Sequence, residues 1–324
     1  MTAATDYAGE GIRENEIFSL APTYDNTPPS WQTRCIVRLM RAFRVKRRMA
    51  SAAAVREQVD RLALRPASFE PSSLGRGVNV TRSDVAGWPV YHTVPSEHSG
   101  SLNYVIFLHG GGFIKEIVRA HWRFVGHLTR AAKVRCIVPI YPLVPRATAK
   151  DIVPATGELL RNVFEASGSA KVTIVGNSAG AALGLAAAQW LRDGGYRQPD
   201  GLVLISTGAD YSISRAEQIA IADRDPINDI PGARETGRLY AGDLDIDHPF
   251  VSPLNGDLHG LAPLLLFSGT LDLFYPDCVD LAAKAREAGV PVELHLRNGQ
   301  PHNYAALPTP EGREARAIIV RAVR

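Results

Sequence analysis

The pentapeptide Gly176-Asn177-Ser178-Ala179-Gly180 is the first feature of this chain that could do chemistry. It ends the β-branched run KVTIV and opens the alanine-rich stretch AALGLAAAQW. A serine at such a junction has two uses. It can cap the following helix, because its side chain accepts from the unpaired amides of a first turn. It can instead be a nucleophile held out on a strained turn, where small flanking residues let neighbouring backbone pack closely. A serine hydroxyl attacks poorly at neutral pH unless a histidine takes its proton, and a carboxylate must then fix the imidazole tautomer. A cap needs neither partner.

Both partner types are present downstream. Asp272 lies in SGTLDLFYPD and His302 in NGQPHNY, each just after an apolar run. Upstream, His109-Gly110-Gly111-Gly112-Phe113 follows NYVIFLH. Consecutive glycines leave backbone N–H groups able to converge on an anion, which in acyl transfer is the oxygen of the tetrahedral intermediate. Neither phosphate-loop pattern, G-x-x-x-x-G-K-[ST] nor G-x-G-x-x-G, is matched here. G-x-S-x-G alone is a weak signal, and the pair of motifs is far more specific. Rival residues read otherwise. Asp277 should cap the next helix, His295 should be a strand residue, and His109 should orient its loop. His121, His127, His248 and His259 read as structural, with no metal-ligand spacing among them.

The elements that must position these groups are legible from about Asn103 onward. NYVIFLH, VRCIVPIY, KVTIVG, LVLIS, PLLLFSG and PVELHLR alternate with stretches of helical spacing. Near-continuous apolar strands separated by helices predict a parallel sheet covered on both faces, in a doubly wound α/β domain. Ligands of such sheets bind at the strands' carboxyl ends, where all four stretches fall. VNVTRSDVAG and WPVYHTV predict an antiparallel hairpin at one sheet edge. Residues 1–76 look helical, including the basic amphipathic stretch RCIVRLMRAFRVKRRM, which reads as the solvated face of a surface helix. Residues 206–261 interrupt the alternation. These two segments would be free to build a lid, and PVELHLR with the last helix offers an edge that could pair.

HGGGF, GNSAG, the aspartate of GTLD and the histidine of PHNY together resemble the hormone-sensitive-lipase family of esterases. The likeness runs from about Asn103 to the C-terminus, and YPLVPRATAKDIVPA and HPFVSPLNGDLHGLAPLLLFSG extend it. It implies an α/β-hydrolase fold: a mostly parallel central sheet, helices on both faces and an α-helical cap. The cap would come from residues 1–76 and the insertion at about 206–261 of a catalytic domain spanning 77–324. It also implies a cofactor-free serine carboxylester hydrolase acting on small to medium acyl esters, with Ser178, Asp272 and His302 as triad in the order expected of that fold. The amides of Gly111, Gly112 and Ala179 would be the oxyanion donors. Three departures stand out: Asn177 where the family usually has Asp, Ala181 where it usually has Gly, and Arg146 where it usually has Glu. Lactone, amide or acetyl hydrolysis would use the same groups, and a non-catalytic ligand-binding receptor is the reading from another class.

Composition sets the remaining bounds. With 45% hydrophobic and 21% charged residues the chain is of globular type, and a net charge of +3 argues for neither nucleic acid nor membrane as partner. Cys35, Cys136 and Cys278 are widely spaced and odd in number, so they read as reduced thiols and not as a zinc site. The N-terminus is polar and acidic where a signal peptide needs a basic start and an apolar run. The expectation is a cytoplasmic monomer or homodimer acting on a small-molecule ester, with no metal and no stable membrane insertion.

Overall fold

The computed structural model describes residues 23–324, so the polar stretch on which the signal-peptide reading rests lies outside the described residues. The β-branched and leucine-rich runs become strands: β1 (Thr23–Asp25), β2 (Val78–Val85), β3 (Trp88–Pro95), β4 (Tyr104–Leu108), β5 (Arg135–Pro139), β6 (Val172–Asn177), β7 (Gly201–Ile205), β8 (Leu264–Gly269) and β9 (Val292–Arg297). The helices are α1 (Trp31–Ala42), α2 (Ala52–Leu64), α3 (Arg119–Leu128), α4 (Ala149–Ser167), α5 (Ala179–Asp193), α6 (Ala216–Ala222), α7 (Ile230–Ala241), α8 (Tyr275–Glu287) and α9 (Pro310–Ala322). The strands form one sheet in the order β1-β9-β8-β7-β6-β4-β5-β3-β2. It is parallel from β1 to β5, and the expected antiparallel hairpin, β2–β3, closes the far edge.

Period-two alternation sends side chains to two separate cores. Ile106, Leu108, Ile174, Leu204 and Leu266 pack towards α4, α5 and α8, while Val105, Phe107, Val175, Val203 and Phe267 pack towards α3 and α9. Both faces are therefore apolar, and all six residues of β6 are buried. Truncating one such side chain, Leu204→Ala for example, would cost about 2–5 kcal/mol.

Register brings the strands' carboxyl ends level. Leu108 pairs with Gly176, Asn177 with Ile205, and Gly269 with Arg297. The turns after β4, β6, β8 and β9 consequently open on the same edge of the sheet.

Two expectations need correction. PVELHLR is not a free edge, because β1 pairs with it in parallel through Thr23–His295 and Asp25–Arg297. The basic stretch is also not one helix. Arg44 takes a left-handed φ of 50°, which ends α1 at Ala42 and starts a separate 3-10 turn over Val45–Met49. Arg34, Arg38 and Arg41 on α1 face solvent and Val37 faces inward, as a surface helix requires. The three cysteines are free. No helix among the described residues is long and apolar enough to cross a membrane.

Candidate active site

The turn between β6 and α5 is tight enough to dictate its residues. Ser178 has φ 54° and ψ −124°, outside the ordinary regions for an L-residue, at a cost of about 1–3 kcal/mol. The chain can bend this way because its flanks lack side chains. A Cβ on Gly176 would lie 2.5 Å from the Gly180 carbonyl oxygen, and one on Gly180 would lie 2.1 Å from the Leu108 carbonyl oxygen. Ser178 does begin a helix, but its side chain caps nothing. The amides of Ala181 and Ala182 are taken by its backbone carbonyl at 2.9 and 3.2 Å, which leaves Oγ free to point elsewhere.

Ser178 Oγ lies 2.8 Å from His302 Nε2, and His302 Nδ1 lies 2.9 Å from Asp272 Oδ1. The structure thus brings together three residues separated by up to 124 positions. Asp272 is fully buried, and its Oδ1 also accepts the Phe274 N–H at 3.1 Å. The His302 loop is tied down on both sides. Leu271 N–H donates to the Gln300 carbonyl at 3.0 Å, and Asn303 N–H donates to Ser206 Oγ at 2.8 Å. Burial alone would lower the His302 pKa, but the charge and hydrogen bond of Asp272, with the charge of Asp225, outweigh it and leave the pKa above its ordinary value.

The glycine loop after β4 meets this turn from the other side. Asn177 Oδ1 accepts the Gly110 N–H at 2.9 Å, and Asn177 Nδ2 lies 3.3 Å from His121 Nε2. The family-atypical asparagine therefore latches the two turns together. Among the described residues no acceptor takes the amides of Gly111 or Gly112, and Ala179 opens α5, where first-turn amides lack intrahelical acceptors. Below the loop, His109 is fully buried and stacks on Tyr141 with ring centroids 4.4 Å apart, and Tyr141 Oη donates to the His109 carbonyl at 2.5 Å. Burial holds the His109 pKa at about 4 and that of His121 at about 3, so both rings are neutral near pH 7. The loop that carries Arg146 is tied to the glycine loop by backbone, through Val144 N–H to the Phe113 carbonyl at 3.0 Å.

The N-terminal segment and the insertion pack on one another over the serine. Arg56 pairs with Glu235 at 2.9 Å, Arg41 Nη2 donates to the Arg224 carbonyl at 2.9 Å, and Lys46 lies 3.5 Å from Asp229. Phe113 of the glycine loop stacks face to face on Tyr240 of α7. Together they enclose a cavity of about 300 Å³ that reaches Ser178, Gly111, Gly112 and His302.

Three groups here escaped sequence reasoning. Asp225, in the insertion, accepts the N–H groups of Ile227 and Asn228 and, at 2.8 Å, that of Leu273 beside the acid. Burial, then the charge of Asp272, raises its pKa to about 6. His121, read as merely structural, lines the cavity. Asp277, expected as a helix cap, is fully buried and organises the insertion: it accepts from the amides of Ala209 and Asp210, from Arg215 at 3.2 Å and from Gln218 at 2.9 Å. The pattern D-x-x-N ahead of a helix was the available signal for Asp225, but it reads as an ordinary turn.

A mostly parallel sheet with helices on both faces and a serine on a left-handed strand-to-helix turn defines an α/β-hydrolase. Residues 105–306 match the family model described as alpha/beta hydrolase fold. The chain belongs to that family, in the hormone-sensitive-lipase branch. The hormone-sensitive-lipase homologue EstE7, from a metagenome library, superimposes with a TM-score of 0.75 at 25% identity, covering 90% of this chain and 97% of its own. A triacylglycerol lipase of Mycobacterium tuberculosis is 34% identical over 242 residues, 74% of this chain and 50% of the relative. An acetyl-hydrolase of Streptomyces hygroscopicus is 33% identical over 192 residues, 58% of this chain and 63% of the relative. The chain thus spans half to less than two thirds of the length of these two relatives.

Proposed function

We propose that this protein is a serine carboxylester hydrolase for small to medium acyl esters. One observation carries the reading: Ser178 Oγ, His302 and Asp272 form a continuous hydrogen-bond chain of 2.8 and 2.9 Å on a strained strand-to-helix turn. In this reading His302 Nε2 takes the Ser178 proton as Oγ attacks the ester carbonyl. The imidazolium so formed is stabilised by buried Asp272, and then protonates the leaving alcohol. Water activated by the same nitrogen hydrolyses the acyl-enzyme. The amides of Gly111, Gly112 and Ala179 receive the oxyanion, and the lack of an acceptor for them among the described residues suits them to it.

In this reading the described part of the N-terminal segment, through Val45, Arg48 and Met49, and the insertion, through Ile227, Asn228 and Thr236, act as a cap that sets the size of the active-site cavity. Its volume of about 300 Å³ suits short and medium acyl groups. All of these groups come from one chain, so the chemistry needs no second subunit. A relative named as an acetyl-hydrolase favours adding acetyl amides and acetyl esters to the substrate panel.

Covalent labelling by a fluorophosphonate probe tests the reading. Labelling at Ser178 in folded protein, with hydrolysis across a p-nitrophenyl ester series that falls off at long chains, is the expected result. Folded protein that stays unlabelled would favour the ligand-binding receptor.

A further inference from the structure

The cavity over Ser178 is apolar on much of its lining, through Val45, Met49, Ile114, Ile227 and Phe274, yet three polar residues that line it carry donors with no partner among the described residues. They come from three distant segments. Lys115 sits on the glycine loop, where its own amide bonds the Gly111 carbonyl at 3.2 Å. Its half-buried ammonium makes no hydrogen bond or ion pair with any described residue. Arg48, on the 3-10 turn after α1, has no side-chain partner among the described residues either. Asn228, just before α7 in the insertion, is 7% exposed, and its Nδ2 is buried with no acceptor among the described residues.

Unpaired donors in a part-buried site cost free energy in the empty protein. Burial, with Arg48 and Arg61 nearby, holds the Lys115 ammonium below its ordinary pKa, so an anion beside it would relieve a real penalty. The acid on the same wall is Glu116, which forms no ion pair with Lys115 or Arg48. Among the residues that line the cavity, these two cations against one carboxylate leave a net positive charge, which suits a carboxylate.

We propose that the cavity selects esters that also carry a carboxylate, held by Lys115 and Arg48 with the Asn228 carboxamide as a third donor. The inference rests on the ester-hydrolysis reading above and names its substrate class. Lys115 is part of the loop that supplies the Gly111 and Gly112 amides, so the same segment would grip the substrate's charge and face its carbonyl. The two basic residues would belong to substrate binding and not to the proton transfers.

Two matched pairs test it: 3-acetoxybenzoate against phenyl acetate, with the carboxylate on the leaving group, and monoethyl succinate against ethyl butyrate, with it on the acyl group. On at least one pair the anionic ester should be favoured by about tenfold or more in kcat/KM, the scale of one charge-assisted contact. Raising the salt should shrink that preference, since part-exposed charges are screened. Lys115→Met and Arg48→Met should each move the anionic-to-neutral ratio towards one, and Lys115→Arg should keep the preference. Fluorophosphonate labelling of Ser178 in each variant reports an assembled site, and Arg48 lies on an exposed turn where substitution spares the core. A wild-type enzyme that hydrolyses the neutral esters as well as or better than both anionic ones overturns the inference alone. So does a ratio unmoved by both Met variants. Failure to hydrolyse any ester, with Ser178 unlabelled, overturns the hydrolase reading and the inference with it.

Discussion

Asp225 Oδ2 accepts the Leu273 N–H at 2.8 Å, so a residue of the insertion grips the peptide next to Asp272. The acid that faces His302 is thereby held from the insertion as well as from β8. Asp225 reaches His302 through the turn it holds and through its charge.

A general base must be neutral, so hydrolysis should fall on the acid side as His302 takes a proton. The His302 pKa lies above its ordinary value, which puts that limb of the kcat/KM profile at higher pH than for a free imidazole. Asp225→Asn removes one of the two carboxylates that raise it, so the acid limb should move to lower pH. A merely structural effect would lower the plateau and leave the limb in place. Asp272→Asn should move the limb the same way and also lower the plateau by about 10⁴-fold.

Asn177→Ala should leave the buried Gly110 amide without its acceptor, at a cost of about 1–3 kcal/mol. The glycine loop then loses its latch, and kcat should fall by about 10–100-fold while Ser178 stays labelled by fluorophosphonate. Asn177→Asp restores an acceptor at that place and should retain more activity than the alanine variant. Equal losses in the two would show that the Gly110 bond is not what Asn177 contributes.

Gly180→Ala puts a methyl group 2.1 Å from the Leu108 carbonyl oxygen, between two buried strand ends that have no room to part. Destabilisation of about 3 kcal/mol or more, read by urea denaturation, is expected. A variant with wild-type stability would mean that the β4 and β6 ends lie further apart than described.

Acid should weaken the fold through His109. Its folded pKa of about 4 lies below the ordinary 6.5, so between those values the unfolded chain binds a proton that the folded protein refuses. The stability is fully present above about pH 6.5 and is lost as pH falls towards 4, by about 3 kcal/mol at most. His121, depressed to about 3 by burial, acts in the same direction. Denaturation at pH 7, 5.5 and 4.5 measures the slope, and His109→Phe, which can keep the stack on Tyr141, should flatten it.

The strand ends were legible because each of β4, β6, β8 and β9 is a continuous apolar run, and Ser178, Asp272 and His302 each follow one. Parallel register does the rest, by drawing those ends level. Asp225 was not legible, because its partner lies 48 residues away and the insertion between them follows no period. Asp277 read as a cap since an acid in a first turn usually is one, and only its burial and its bonds to Ala209, Asp210, Arg215 and Gln218 reveal otherwise. The three residues of β1 are too few to show alternation, so the pairing that covers β9 left no signal. Arg44 carries nothing in its identity that marks a left-handed break in a helix-forming stretch.

Every step of the proposed reaction starts from Ser178 as the nucleophile. Initial rates of wild type and Ser178→Ala on p-nitrophenyl esters of increasing chain length test it most directly. A loss of about 10⁴-fold or more in kcat is expected on every ester that the wild type hydrolyses, with the fold intact. A Ser178→Ala protein that keeps the wild-type rate on those esters would contradict it.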